Sequence, residues 1–209
     1  MNLLLPMGVR KNTLFNLAGT ALIVAIGLVT VPAYLHLIGE ERYGALAVIW
    51  LYLGYFGFFD LGLSRSATNF IARLQDAPPA ERQSVFWTAL CINGLFGVIG
   101  GLVLYMIAAP VVGHLLKMPD SLKAEVLATL PWVAFAVPAV SMSGVLIGTL
   151  EGRERFATVN AIQAVGSVLM QGVPLLVAFT HRTGLDWLIP ATILARASIV
   201  PMLFVSVSR

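Results

Sequence analysis

Ala21-Leu-Ile-Val-Ala-Ile-Gly-Leu-Val29 decides the class of this chain. The run does not alternate apolar with polar residues. It lies inside residues 13–38, which hold no Asp, Glu, Lys or Arg. About 20 apolar residues in a helix cross a hydrocarbon layer about 30 Å thick. Outward from this stretch the pattern repeats. Residues 45–63, 84–112, 126–150, 156–180 and 187–208 are similarly long and apolar, and short charged intervals separate them. Outer-membrane barrel strands are about 9–11 residues long and alternate, so they do not fit. Helices satisfy their backbone hydrogen bonds internally, as lipid demands. The expectation is an all-α integral membrane protein with six transmembrane helices in a single unit, residues 1–209.

Composition agrees. Of 209 residues, 58% are hydrophobic and 11% charged, and the mean hydropathy is +0.88. Soluble domains carry about 25% charged residues. The six spans consume most of the length, which leaves no room for a soluble domain. The single cysteine, Cys91, falls inside the third span and cannot form an intrachain disulfide. Arg10-Lys11 precedes an apolar run much longer than a signal-peptide core, so the start reads as a retained anchor. The pI of 9.3 belongs to the loops and does not point to nucleic acid. His36, His114 and His181 sit near span ends without metal-ligand spacing. No Ser/His/Asp set or phosphate loop is present. Enzyme, cofactor and metal are therefore not expected.

Loop charges predict orientation. Arg10, Lys11, Arg65, Arg73, Arg82, Arg153, Arg155 and Arg209 share one side, whereas Arg42, Lys117, Lys123 and Arg182 share the other. Basic residues in short loops stay cytoplasmic, so both termini are expected inside. The connection 67–75 reads as a helical extension on the membrane surface that stops at Pro78-Pro79, and those prolines suit the start of the next helix. Gly97 and Gly101 in the third span share a face and predict close helix packing, with Asn93 placed for an interhelical hydrogen bond.

Only two charges fall within the spans, Asp60 and Arg196. A central Arg costs about 2.5–3.5 kcal/mol to insert. Snorkelling from the middle of a span is difficult, so Arg196 should face protein or a water-filled cavity. Arg keeps its charge and can fork onto phosphate or carboxylate, which suits an anion site. The plainer reading is a structural ion pair. Asp60 is the available partner, but at 1.5 Å per residue it lies roughly 9 Å nearer the cytoplasm. Asp60 itself could couple a proton or cation, or hold backbone amides.

Asn16-Leu-Ala-Gly-Thr, Pro32-Ala-Tyr-Leu-His-Leu-Ile-Gly-Glu-Glu-Arg-Tyr-Gly44, Gly54-Tyr-Phe-Gly-Phe-Phe-Asp-Leu-Gly-Leu63 and Leu150-Glu-Gly-Arg-Glu-Arg-Phe-Ala-Thr-Val-Asn160 together form a further pattern. In span order the chain resembles bacterial polysaccharide flippases of the O-antigen type. These share a superfamily with multidrug and toxin extrusion transporters. The resemblance implies an inner-membrane protein that flips undecaprenyl-pyrophosphate-linked oligosaccharide by alternating access. It implies two six-helix lobes around a cationic cavity, where Arg196 would bind the anionic substrate. Expected partners are the lipid-linked oligosaccharide, membrane lipids and a second lobe, supplied by a missing C-terminal half or a second copy. The alternatives are a multidrug or cation antiporter and a non-transporting truncated lobe.

Overall fold

The computed structural model describes residues 7–55, 65–66, 69–70, 73, 78–115 and 118–208. The described residues are almost entirely helical. α1 (Met7–Tyr55) is interrupted at Gly39, followed by α2 (Pro79–Pro110), a π-helical turn (Val111–Leu115), α3 (Asp120–Gly152), α4 (Phe156–Phe179), α5 (Leu185–Ala197) and α6 (Ile199–Ser208). Five segments are long and apolar enough to cross a membrane: Val24–Leu51, Ala80–His114, Asp120–Gly152, Phe156–Phe179 and Leu185–Ser208.

The first of these segments contains a reversal. The rings of Tyr34 and Trp50 meet edge to face with centroids 5.5 Å apart. On a straight helix their Cα atoms would be about 24 Å apart at 1.5 Å per residue. The chain therefore doubles back at Gly39, where φ is 79° and ψ 166°. That conformation is essentially restricted to glycine, because a Cβ would clash with the backbone. Residues 7–38 and 40–55 are thus two arms of a hairpin, as the sequence expected between 38 and 45. The second half of the expected second span, with Asp60, lies outside the described residues.

Pro79 occupies the first turn of α2, where its missing N–H costs nothing. The last expected span is not one uninterrupted helix. Pro201 has no N–H to offer the Ala197 carbonyl, and the helix breaks at Ser198 between α5 and α6.

The α2–α3 seam shows why the glycines are there. Gly94 faces Met142, Gly97 faces Pro138 and Gly101 faces Ala134, so the two helices run antiparallel. A Cβ on Gly97 would lie 2.6 Å from Pro138 Cα, and one on Gly101 would lie 2.5 Å from the Ala134 carbonyl oxygen. Without a hydrophobic drive between helices in lipid, such backbone contact supplies the association. The expected interhelical bond from Asn93 is corrected. Its Nδ2 donates to Ala89 O in its own helix at 3.0 Å, and its buried Oδ1 has no partner among the described residues. At this level α3 presents the Met142 side chain, which offers no donor.

Two apolar cores lie at opposite ends of the bundle. One joins Tyr34, Ile38, Leu46, Val126, Leu185 and Ile189. The other joins Phe86, Leu90, Leu146, Leu150, Val159 and Leu203. Outside these cores, large apolar side chains point outward. Leu28, Val29, Met106 and Phe135 are 72–74% exposed. A water-soluble surface does not carry so many of these, whereas lipid accommodates them. The chain is a multi-pass membrane protein.

Candidate functional site

Arg196 ends α5 between the two cores, just before the Ser198 break. Its Nη1 lies 3.5 Å from Met170 Sδ of α4. Phe135, Ala139 and Ser143 of α3 join it around a cavity of about 20 Å³. One water needs about 10–15 Å³ of such space, so this cavity has room for one water and is too small for a sugar. The guanidinium is half-buried among α3, α4 and α5, facing protein as its depth requires. Asp60 lies outside the described residues, so the structure brings these two charges into no described contact.

α4 also carries a polar stripe that the sequence reading missed. Asn160, Gln163, Ser167 and Gln171 are spaced by three, four and four residues. At about 100° per residue these positions fall on one face. Gln163 is exposed, and the other three are half-buried. Thr30 donates to Gln171 Oε1 at 2.6 Å, and Tyr34 Oη donates to Gln171 O at 2.6 Å. Pro174 lies three residues beyond Gln171 and removes a donor from this turn. The helical spacing was the available signal; it is faint because apolar residues surround it.

At the end of the bundle formed by the start of α2, the α3–α4 turn and the end of α6, three arginines converge. Arg82, Arg153 and Arg155 line a pocket of about 610 Å³ with Gln83, Phe86, Trp87, Phe204, Val207 and Ser208. None of these lining side chains is acidic. Arg153 Nη1 donates to Val207 O at 2.6 Å, and Arg155 Nη1 donates to Ser206 O at 2.9 Å. These carbonyls lie in the last described turn of α6. Burial, then the Arg155 and Arg82 guanidiniums, hold the Arg153 pKa below the usual arginine range. Sequence reasoning put these three residues on one side of the membrane. It could not put them in one pocket, because Arg82 lies about 70 positions from the turn that bears Arg153 and Arg155.

The opposite end is organised by Glu125. Arg42 Nη2 and Nε donate to its two carboxylate oxygens at 2.6 and 3.1 Å, a forked pair. The Leu185 N–H, at the start of α5, donates to Glu125 Oε2 at 3.1 Å. A single carboxylate thus ties the Gly39 reversal, α3 and α5 together, and it sits where a helix N-terminus favours negative charge. Nearby, Lys123 Nζ donates to Gly113 O at 3.0 Å, and the Arg182 guanidinium carbon lies 3.9 Å from the centre of a Trp187 ring. The side assigned to Arg42, Lys123 and Arg182 from sequence is one end of the bundle.

Comparison with known proteins gives the context. The profile of the family described as polysaccharide biosynthesis protein matches residues 9–208. A Shigella flexneri protein named "Putative O-antigen transporter" is 27% identical over 177 residues, covering 85% of this chain and 42% of its own length. The chain thus spans less than half the length of that curated relative. No solved structure matches significantly. With the profile covering nearly the whole chain, the protein belongs to the polysaccharide biosynthesis protein family.

Proposed function

We propose that this chain is a six-span lobe of a transporter that flips lipid-linked oligosaccharide across the bacterial inner membrane. Its two termini face the cytoplasm, and it works by alternating access against a second lobe. Family membership and the name of the Shigella relative support a role in polysaccharide export. The observation that carries the reading is the polar and cationic midplane of an otherwise apolar bundle. Arg196 lies beside Met170, one residue from Gln171 and its stripe. Ionisable groups within spans are often functional, which supports Arg196 as a substrate contact. Arg196 supplies a permanent positive charge for a pyrophosphate. The stripe supplies amide and hydroxyl groups suited to sugar hydroxyls. We take the substrate chamber to be completed by a second lobe, a reading supported by the small cavity of about 20 Å³ at Arg196. A C-terminal continuation or a second copy of the chain could supply it.

Complementation of an export-deficient strain tests the site. Arg196→Ala should abolish surface polysaccharide while the protein remains in the membrane. Full export by that variant would end the anion-site reading. Orientation is tested by Arg153→Cys in a Cys91→Ser background, where labelling from the outside would reverse the assigned topology.

A further inference from the structure

We propose that the pocket lined by Arg82, Arg153 and Arg155 is a phosphate site that holds the headgroup of an anionic membrane lipid. The proposal does not depend on what the protein transports. Three observations lead to it.

The first is charge. Three guanidiniums from α2 and the α3–α4 turn line one pocket, and no lining side chain among the described residues is acidic. A phosphate entering between them would be paired without displacing an existing carboxylate.

The second is preorganisation. Each guanidinium carries five N–H donors in a fixed fork. Arg153 and Arg155 each direct one nitrogen to a carbonyl of α6, at 2.6 and 2.9 Å. Those bonds fix the two side chains in place and leave other donors for oxygens in the pocket. Arg82 comes from α2 and makes no hydrogen bond to α6 among the described residues.

The third is the wall. Phe86, Trp87 and Phe204 form a ring cluster with centroids 5.4–6.4 Å apart. Trp87 and Phe204 remain 44% and 39% exposed. Trp concentrates where headgroups meet hydrocarbon. An apolar, aromatic wall beside a phosphate-binding fork fits the glycerol and upper acyl segment of a lipid. A soluble anion would make no use of it. The volume of about 610 Å³ also exceeds what a bare phosphate needs.

The test is a thermal-shift titration of the purified full chain in neutral detergent. Phosphatidylglycerol is compared with phosphatidylcholine of the same acyl chains and with inorganic phosphate. Phosphatidylglycerol should raise Tm for the wild type, and phosphatidylcholine should not. Arg82→Gln should lose at least half of that shift, whereas Arg73→Gln, an exposed arginine outside the pocket, should keep it. Arg155→Gln should also reduce it. If Arg155→Gln fails to fold, Arg82→Gln still decides, because it breaks no contact with α6. An equal shift in Arg82→Gln and wild type, or an equal response to both lipids, would overturn the site. An inorganic phosphate shift matching that of phosphatidylglycerol would overturn the lipid as its source.

Discussion

At one end of the bundle Arg42 is gripped by Glu125 at 2.6 and 3.1 Å; at the other, Arg82, Arg153 and Arg155 share a pocket with no acidic wall. Each end has its own apolar core. Their cations do different work. At the Glu125 end each described cation has a specific partner: a carboxylate for Arg42, a carbonyl for Lys123 and an indole ring for Arg182. These pairs join segments that are distant in sequence. At the arginine end two guanidiniums bond carbonyls of the last described turn of α6, and among the described residues no carboxylate lines the pocket. One end spends its charge on holding the fold together. The other keeps charge in reserve for something that arrives.

This contrast predicts where stability resides, measurable by equilibrium unfolding in detergent. Gly39→Ala should cost most, about 2–3 kcal/mol, because it forces a Cβ into a conformation reserved for glycine. A cost near zero would mean that the hairpin does not turn there. Glu125→Ala follows at about 1–2 kcal/mol, since it removes a charged acceptor for Arg42 and the Leu185 amide. The pair is partly exposed, with side-chain exposures of 37% and 20%, so solvent keeps the effect below that of a buried pair. Arg153→Ala should cost about 1 kcal/mol through the lost bond to Val207 O. A larger loss than for Glu125→Ala would erase the distinction between the ends. Arg82→Gln should fall within about 0.5 kcal/mol of wild type, as surface changes usually do. A substantial loss there would make Arg82 structural and weaken the case for a ligand.

Much of the architecture was legible because a membrane imposes one-dimensional rules. Span length follows from bilayer thickness, so long apolar helices could be expected from sequence alone, and five such segments stand among the described residues. The close seam at Gly97 and Gly101 was legible for a similar reason, since small residues four apart mark a helix face. Asn93 was misread: its amide is visible in sequence, but the absence of a described donor across the seam for its Oδ1 is not. Arg196 was correctly read as facing protein. Its surroundings, a single-water cavity beside Met170 and the polar stripe of α4, depend on how three helices meet.

The sequence by itself determined that the chain crosses a membrane as helices and that its pattern is that of a polysaccharide flippase. These follow from hydropathy and local motif, each of which acts over neighbouring residues. Only the tertiary structure decided which charges are paired and which converge. Arg42 lies 83 positions from Glu125, and Arg82 comes from a different helix than the turn bearing Arg153 and Arg155. Contacts at such separation are fixed by helix packing, which no local pattern encodes.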